Sequence, residues 1–584
     1  MRQTLAAALL LSTVSAPALS QTIYPIDRAQ ILTGAMFDLK VEFPGLAEPG
    51  KISVTVNGQD HAQALGRAAT YVAREDDKDQ SAVTLRDVVI DKPGRYVVKA
   101  TDGVNTREVA WDVYETAQPR KARNVILFIG DGMSNAHRVA ARILARGIQE
   151  GKYKGKLTLD DMPAMALVST SGVDSVITDS ANSASAYTTG HKSSTNALGV
   201  YADRTKSTTD DPKVETITSL AQRRLNMAVG VVTNTEIEDA TPASMVAHTR
   251  RRAEYDVIVQ QFLDQKPDVI MGGGAANFIP KSTAGSKRGD DQDYVERFKD
   301  AGYAVATTAG EMKAASAAGA KKLLGLFNLG NMDGVLDRKF LKVGSVKRYP
   351  EQPDLTEQVK SAIEVLSKND NGFVLMVESG LIDKFTHALD MERAIYDTIM
   401  LDNAVKVAKD FADQKNDTLI LVLADHTHPV GIVGVMHDDM DGPAPNVELR
   451  DRLGIYAEAG YPSYPAPDAE GYPNKVDVKD RLALFSASFP DYYETYRPKM
   501  DGPNNPTVAG KEKGTYAANE IYAKSPGAQL RPGNLPKDGN SDVHSAEDSL
   551  LNAYGPGSEM VKGSMDNTDV FKVMAHALAL GTAK

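Results

Sequence analysis

The sequence predicts an α/β protein with a central, mostly parallel sheet flanked by helices, preceded by an N-terminal immunoglobulin-like β-sandwich domain. Three observations support this prediction. After residue 123, short apolar runs alternate with helical stretches, which is typical of a sheet buried on both faces. Before residue 117, period-two patterning is broken repeatedly by turn residues. The length of 584 residues is too great for one ordinary domain, and 42% hydrophobic residues suffice for a sizeable core.

The composition excludes several classes of protein. The chain contains no cysteine, so it is not a scaffold held together by disulfides. It contains 66 basic and 77 acidic residues, a formal net charge of −11, which argues against nonspecific nucleic-acid binding as a main activity. Such a protein can still bind an anion, but only where nearby residues reverse the sign of the charge.

The first 20 residues have the pattern of a secretory signal peptide. Arg2 precedes an apolar stretch at residues 5–11, and the small residues Ala18 and Ser20 occupy the −3 and −1 positions of the expected cleavage site. This apolar run is shorter than the roughly 20 residues that a membrane-anchoring helix needs, and no later segment is long and apolar enough to span a bilayer. We therefore expect a mature protein that is periplasmic or secreted and has no membrane span.

Residues 21–117 are predicted to form the β-sandwich domain. Residues 37–43 alternate between apolar and polar side chains. Three apolar side chains fall on one face of the last strand: Val109, Trp111 and Val113. The segment lacks the Cys-Trp-Cys spacing of antibody domains, so the prediction concerns architecture alone. The domain is either a packing or spacer domain for the rest of the protein, or a module that binds a surface glycan or a partner.

Residues 118–584 are predicted to form the α/β domain. Its candidate strands are the apolar runs 125–129, 227–232, 269–271, 373–377 and 419–423. In an open α/β sheet, functional residues gather at the carboxyl ends of the strands. Three runs are followed by residues suited to divalent metals, namely Asp131, Glu378 and the pair Asp425-His426. A lone carboxylate there is usually a helix cap, but three such cases favour a metal site.

Two further segments offer a metal-binding pair and a nucleophile. Asp383 and His387 are four residues apart, which places both side chains on one helix face, although a surface polar pair is the alternative. Ser180 precedes small residues that begin a helix, so its hydroxyl would lie at the positive end of the helix dipole; alone, it would be interpreted as an N-cap. Because no Gly-x-Ser-x-Gly signature surrounds it, we expect a metal to activate this hydroxyl.

Another segment combines a carboxylate, a hydroxyl and arginines. Thr241 and Pro242 have the form of an N-cap followed by the first helical residue, which is a sufficient structural explanation. Alternatively, Asp239 and Thr241 face the same cavity. Residues 250–252 are three consecutive arginines, whose planar guanidinium groups match phosphate. At least one of the three must face solvent.

Together these motifs resemble those of alkaline phosphatases, in the order typical of that family. The resemblance extends from about residue 122 to the C-terminus. The segments on which it depends are Asp131-Gly132-Met133, Thr178-Asp179-Ser180-Ala181, Asp239-Ala240-Thr241-Pro242, Val377-Glu378 with Ile382-Asp383-Lys384 and His387, and Ala424-Asp425-His426-Thr427-His428. It implies the alkaline-phosphatase fold and the hydrolysis of phosphate monoesters through a phosphoserine.

The resemblance also implies roles for individual residues. Ser180 would be the nucleophile, Arg252 would bind the phosphate group, and Lys384 would reach phosphate through water. The implied cofactors are two Zn²⁺ and one Mg²⁺. Their ligands would be Asp131, Asp425 and His426 for one zinc; Asp383, His387 and the distant His544 for the other; and Glu378, Thr241 and the bridging Asp131 for magnesium.

Two supporting residues follow from the same resemblance. His428 would orient Asp383, since metal ligands need such partners. Asp239 with Lys384 resembles the Asp/Lys form of some bacterial members, which we expect to favour magnesium in the third site. The remaining histidines have no motif around them and are interpreted as structural: His61, His137, His191, His248, His437 and His576.

A long segment separates the last two predicted histidine motifs. Between His428 and His544 lie 115 residues, far more than one strand-helix unit requires. The stretch 438–542 is rich in Tyr, Pro and Gly, and it resembles the insertion that large family members place over the active site or at a dimer contact. A lid, a dimer surface and a substrate platform are all consistent with this composition.

The expected function is that of an exported, metal-dependent alkaline phosphatase that acts on small-molecule phosphate monoesters. We expect no requirement for nucleic acid, and the protein could form a homodimer. One alternative is a phosphodiesterase or sulfatase of the wider superfamily. Those relatives commonly have threonine or a modified cysteine or serine as nucleophile and lack the third-metal residues, whereas Ser180, Glu378 and Thr241 are present here. The other alternative is a phosphate-binding or cell-surface protein without turnover, which predicts the loss of a nucleophile or ligand.

Overall fold

The structure, a computed structural model, describes residues 21–437, 453–454, 459–488, 490–535 and 539–581. The predicted signal peptide at residues 1–20 lies outside the described residues, and so do parts of the predicted insertion at 438–542. In the described part, a β domain precedes a large α/β domain, which confirms the predicted fold class.

The β domain is a sandwich of two sheets. Its elements are β1 (Thr22–Tyr24), β2 (Gln30–Leu32), β3 (Met36–Glu42), β4 (Ser53–Val56), β5 (Gln59–Asp60), α1 (His61–Leu65), β6 (Thr70–Val72), β7 (Ala82–Val89), β8 (Gly94–Thr101) and β9 (Thr106–Tyr114). One sheet has the order β1-β3-β7-β6 and the other β2-β9-β8-β4-β5. Trp111 of β9 is fully buried between them, and its indole N–H donates to the carbonyl of Pro25 at 3.0 Å, so its polar atom is also satisfied.

The α/β domain is built on a ten-stranded sheet. The strands of this domain are β10 (Asn124–Gly130), β11 (Ile148–Gln149), β12 (Lys152–Tyr153), β13 (Ala164–Ser169), β14 (Ala228–Glu236), β15 (Val269–Gly273), β16 (Ala304–Ala306), β17 (Leu323–Leu326), β18 (Phe373–Ser379), β19 (Thr418–Leu423), β20 (Gly431–His437), β21 (Asp480–Phe485), β22 (Tyr492–Glu494), β23 (Thr507–Ala509), β24 (Tyr516–Ala518), β25 (Gln529–Arg531), β26 (Ser549–Tyr554) and β27 (Lys562–Asp566). The large sheet has the order β16-β17-β15-β14-β18-β10-β19-β26-β13-β27.

All neighbouring pairs in this sheet are parallel except the two that involve β26. The central strands β10, β18 and β19 are buried along their whole length, because helices cover both faces of the sheet. This explains why their sequences are near-continuous apolar runs and do not alternate.

The helices of the α/β domain pack on the two faces of the sheet. They are α2 (Asn135–Arg146), α3 (Ser180–Thr189), α4 (Ile217–Leu225), α5 (Ala240–Ala243), α6 (Tyr255–Gln265), α7 (Tyr294–Asp300), α8 (Ala309–Ala317), α9 (Leu355–Leu366), α10 (Leu381–His387), α11 (Met391–Lys415) and α12 (Asn567–Leu578). Within the part of the chain that the structure describes, none of the helices has both the length and the apolar character needed to cross a bilayer.

The β domain docks on the α/β domain through buried charges. The ammonium group of Lys40 on β3 lies 2.8 Å from Glu75 of its own domain and 2.5 Å from Asp203 of the α/β domain. Arg204, the next residue, donates back to the carbonyl of Phe43 at 2.6 Å. Separating the domains would break the buried ion pair between Lys40 and Asp203, and breaking a buried pair is costly. The contact is consistent with a packing role for the β domain.

Candidate active site

Three of four neighbouring parallel strands carry predicted site residues to one edge of the sheet. β14, β18, β10 and β19 lie side by side in that order. Glu378 is near the end of β18, Asp131 directly follows β10, and Asp425 follows β19 after one residue. Because parallel strands end at the same edge, these residues meet although they are far apart in the sequence.

Ser180 lies at the first position of α3. The N-cap is Asp179, whose carboxylate accepts from the backbone N–H of Asn182 at 3.0 Å while the Asn182 side chain accepts from the Asp179 N–H. Ser180 is therefore not the cap, and its hydroxyl is available at the positive end of the helix. Its Oγ lies 3.5 Å from both carboxylate oxygens of Asp131 and 3.3 Å from Nε2 of His426.

Asp131, Asp425 and His426 form one compact group, the Asp131 cluster. Their potential ligand atoms all lie within 4.8 Å of one another. Nε2 of His426 is 3.2 Å from Asp131 and 3.5 Å from Asp425. Burial and the negative charges of Asp425 and Asp383 raise the pKa of Asp131 well above its usual range. Burial and the neighbouring His544 lower the pKa of His426, so this imidazole is held neutral, the form that binds metals.

Asp383, His387, His428 and His544 form a second group, the Asp383 cluster. Asp383 and His387 lie on one face of α10, with 3.2 Å between the carboxylate and Nε2. Nε2 of His544 is 3.1 Å from Nε2 of His387, and Nε2 of His428 is 2.8 Å from Asp383. Burial raises the pKa of Asp383, but His387 and the other two imidazoles outweigh this and hold it well below its usual range.

The orientation of two of these imidazoles fits a divalent cation. Nδ1 of His387 donates to the carbonyl of Asp542 at 2.9 Å, and Nδ1 of His544 donates to the carbonyl of Thr178 at 2.7 Å. The Nε2 atom of each ring is thereby directed into the cluster, and the two Nε2 atoms are 3.1 Å apart. Two nitrogens this close need a proton or a metal ion between them, and a backbone partner at Nδ1 is how metal-binding histidines are usually oriented.

Unpaired buried atoms also fit a metal centre. Within the described residues, three of the predicted metal ligands have a buried polar atom without a hydrogen-bond partner: Oδ2 of Asp425, Nδ1 of His426 and Oγ1 of Thr241. An unpaired buried polar atom costs about 1–3 kcal/mol, so Asp425 Oδ2 and Thr241 Oγ1 are well suited to bind a cation. Oxygen and imidazole donors suit zinc and magnesium.

Glu378, one of the predicted magnesium ligands, is buried and accepts hydrogen bonds from two threonines. Burial raises the pKa of Glu378 to about 7, even though Thr233 and Thr235 donate their hydroxyls to its Oε2. The sequence analysis missed both of these threonines. Of its two interpretations of Thr241, the N-cap is wrong: α5 begins at Ala240, and the cap is Asp239, whose carboxylate accepts from the backbone N–H of Ala240 at 2.8 Å.

Arg252 and Lys384 both contact Asp239. Nη2 of Arg252 donates to Oδ1 at 2.7 Å, and Nζ of Lys384 lies 2.9 Å from Oδ2. Burial raises the pKa of Asp239, but the two cations outweigh burial and hold it below the usual range. Nη1 of Arg252 also lies 3.7 Å from Asp179, the residue before Ser180. Positive charge is thus concentrated beside the nucleophile candidate in an otherwise acidic protein.

Residues that the sequence analysis set aside are not members of the two clusters, although His137 bonds to Thr386 beside His387 at 2.9 Å. Arg250 donates to the carbonyls of Asp203 and Thr205, and Arg251 is exposed, so of the three arginines Arg252 is the one that contacts Asp239. The histidines outside both clusters are His61, His137, His191, His248, His437 and His576.

Two residues that sequence reasoning did not select support the site. Asp179 caps α3 and lies near Arg252, and its Asp-x-x-Asn spacing was a signal that could have identified it. Asp542 lies two residues before His544 and accepts from Nδ1 of His428 at 3.1 Å. No motif surrounds Asp542, so nothing in the sequence singled it out.

Glu238 is a fully buried acid next to Asp239. One of its oxygens accepts from the side chain of Asn277, and the other has no hydrogen-bond partner within the described residues. Burial, together with nearby Glu236, raises the pKa of Glu238 well above its usual range. The folded protein therefore binds this proton more tightly than the unfolded chain does. Stability is lost as the pH rises from the ordinary glutamate pKa of about 4.3 toward the raised value.

We expect Glu238→Gln, which is neutral at every pH, to remove this loss. The variant should match the wild type near pH 5 and exceed its free energy of unfolding near pH 9 by on the order of 1 kcal/mol. Denaturant unfolding at both pH values measures the difference. The control is Glu296→Gln, which removes a charge from a side chain that is 60% exposed. Its free energy of unfolding, relative to the wild type, should not increase with pH. An equal effect of both substitutions would contradict a buried neutral acid at Glu238.

Comparison with known proteins agrees with this site. The alkaline phosphatase family matches residues 122–580. The alkaline phosphatase of Escherichia fergusonii is 36% identical over 352 residues, which are 54% of this chain and 72% of that protein. Alkaline phosphatase H of Pseudomonas aeruginosa is 33% identical over 408 residues, 63% of this chain and 81% of that protein.

Solved structures are similar in fold. The alkaline phosphatase of Thermus thermophilus has a TM-score of 0.55 and 24% identity, covering 80% of this chain and 93% of that one. A histidine-to-aspartate mutant of the alkaline phosphatase from the Antarctic bacterium TAB5, with Mg bound in its M3 site, has a TM-score of 0.51 and 23% identity, covering 79% of this chain and 99% of that one. The family match spans the α/β domain with both clusters and Ser180, so this chain belongs to the alkaline phosphatase family.

Proposed function

We propose that this alkaline phosphatase hydrolyses small phosphate monoesters to an alcohol and inorganic phosphate through a phosphoserine at Ser180. The main supporting observation is the position of the Ser180 hydroxyl. It lies at the first position of α3, 3.3 Å from His426 and 3.5 Å from Asp131. A hydroxyl at a helix N-terminus and beside a group of metal ligands is suited to attack a phosphate group.

In the proposed reaction, the substrate phosphate binds at the N-terminus of α3. Arg252 donates to two of its oxygens and Lys384 contributes a second positive charge. Oγ of Ser180 loses its proton and attacks phosphorus, so that a serine-phosphate bond forms while the ester bond breaks and the leaving oxygen takes up a proton. Water then attacks the phosphoserine, which releases inorganic phosphate and restores the hydroxyl. Asp239 holds both cations and thereby sets where phosphate binds.

The proposed cofactors are two Zn²⁺ and one Mg²⁺. The Asp131 cluster would hold one zinc, and Asp383, His387 and His544 the other, with His428 orienting Asp383. Glu378, Thr241 and the shared Asp131 would hold magnesium, and the Mg-bound TAB5 mutant supports this choice of ion. When bound, such ions lower the pKa of a hydroxyl or water and stabilise negative charge on the entering and leaving oxygens.

Location, assembly and domain limits also belong to the proposal. The signal-peptide pattern of residues 1–20 supports export to the periplasm or the medium. We propose domains at 21–117 and 118–584, with the insertion at about 438–542, and a homodimer, which the resemblance to the family implies. The match to the family begins at residue 122, just before β10, which supports the boundary between the domains.

Substrate class tests the proposed activity. We expect p-nitrophenyl phosphate to be hydrolysed much faster than bis(p-nitrophenyl) phosphate or p-nitrophenyl sulfate, because two fixed cations favour a dianion over a monoanion. Arg252→Ala should lower kcat/KM for the monoester by about 10- to 100-fold. The matched control, Arg251→Ala, removes an exposed arginine and should change kcat/KM by less than about twofold. A faster diester reaction, or an equal loss in both variants, would refute the assignment.

A further inference from the structure

The last residue of the predicted insertion, Asp542, contacts the Asp383 cluster directly. It is 1% exposed. Its backbone N–H donates to the carbonyl of His387 at 3.0 Å, and its own carbonyl accepts from Nδ1 of the same histidine at 2.9 Å. Its carboxylate accepts from Nδ1 of His428 at 3.1 Å. Asp542 therefore contacts two histidines of the cluster through main chain and side chain together.

The Asp542 carboxylate is itself fixed in place. Ser486, which directly follows β21 in the insertion, donates its hydroxyl to Oδ2 at 2.5 Å. The backbone N–H of Val543 donates to Oδ1 at 2.7 Å. Asp542 also forms an isolated antiparallel bridge with Ser488. With both oxygens bonded and no exposure to solvent, this side chain has little freedom to move.

These contacts determine which nitrogen each histidine presents to the cluster. The bond from Nδ1 of His387 to Asp542 leaves its Nε2 facing His544 at 3.1 Å. The bond from Nδ1 of His428 to Asp542 directs the opposite nitrogen to Asp383 at 2.8 Å. Partners of this kind fix the ring orientation of metal-binding histidines and are nearly as important as the ligands.

A second residue of the insertion contacts the same region of the fold. Asn504 donates its backbone N–H to the Asp390 carboxylate at 2.7 Å and its side-chain amide to the carbonyl of Ala388 at 2.8 Å. Ala388 directly follows His387 at the end of α10. The insertion thus holds both the ligand-bearing helix and the residues that follow it.

We propose that Asp542 is a positioning residue for the second metal site, and that the insertion supports the geometry of that site from behind the ligands. This inference rests on the proposed function, because it takes the Asp383 cluster to bind a metal ion. It gives the insertion a role other than the lid, dimer surface or substrate platform that its composition suggested.

Metal binding tests this role independently of turnover. Zn²⁺ affinity can be measured in full-length protein by competition with a chromogenic chelator, and the visible spectrum after Co²⁺ substitution reports ligand geometry. We expect Asp542→Ala to lower the affinity for one of the bound Zn²⁺ equivalents by about 10- to 100-fold and to change the Co²⁺ spectrum. The matched control is Asp480→Ala: Asp480 lies in the same insertion and forms a comparable hydrogen bond of 2.8 Å with Nδ1 of His437, just before the insertion. This control should leave affinity and spectrum unchanged.

Two milder variants decide the question if Asp542→Ala does not fold. Asp542→Asn keeps the shape of the side chain, and Ser486→Ala removes one of the two hydrogen bonds to Oδ2 of Asp542 while leaving the bond from His428. Both variants should weaken the binding of the same metal equivalent by a smaller factor. Wild-type affinity and spectrum in the folded variants would overturn the positioning role alone. Wild-type protein that binds no metal would overturn the proposed metal site, and this inference with it.

Discussion

Replacing Ser180 with alanine is expected to abolish phosphatase activity. We predict that kcat for p-nitrophenyl phosphate falls by at least about 10³-fold in Ser180→Ala. The reason is that Ser180 is buried and its hydroxyl, within 3.5 Å of the Asp131 cluster, would form the covalent intermediate. Incubation with ³²P-labelled phosphate, followed by an acid quench, should label the wild type and leave the variant unlabelled.

Ser185 provides a matched control on the same helix. Its hydroxyl donates to the carbonyl of Ala181 at 2.8 Å and does not belong to either cluster. Ser185→Ala should therefore keep kcat within about twofold, even if it lowers stability. Metal content should be equal in both variants, which separates loss of the nucleophile from loss of a cofactor. Near-wild-type turnover in Ser180→Ala would mean that a different group attacks phosphorus.

Removal of divalent metal is expected to lower both activity and thermal stability. In the folded protein, burial and the neighbouring Asp425 and Asp383 carboxylates make ionised Asp131 unfavourable. A metal ion offsets this repulsion only in the folded state. By linkage, a ligand present at 1,000 times its Kd stabilises the fold by about 4 kcal/mol. Treatment with 1,10-phenanthroline or EDTA should reduce activity to background and lower the Tm, and added Zn²⁺ and Mg²⁺ should restore both.

A non-chelating isomer separates metal removal from other effects of the reagent. 1,7-Phenanthroline has nearly the same size and hydrophobicity but cannot chelate, so it should change neither activity nor Tm. Metal analysis of the active protein should give at least two zinc equivalents. Loss of activity without any change in Tm would show that the bound metal does not contribute to folding stability, contrary to the electrostatics of the Asp131 cluster.

Much of the site could be predicted because its signals are local. The apolar runs that became β10, β18 and β19 each end near a proposed metal ligand, and the rule that parallel strands end at one edge brings these residues together. The spacing of Asp383 and His387 is sufficient to place both on one face of α10. The alternation in residues 37–43 likewise predicted a strand of the β domain, observed as β3.

Other features depended on the tertiary structure, because they join segments with no shared pattern. By itself the sequence determined the fold class, through the periodicity of its strands and helices, and the order of the candidate motifs. The three-dimensional packing decided that Arg252 contacts Asp239, that Thr233 and Thr235 donate to Glu378, and that Asp542 bonds to His387 and His428. Hydrogen bonds depend on distances of about 3 Å between atoms from distant segments, and periodicity, which is a property of one segment, contains no information about such distances.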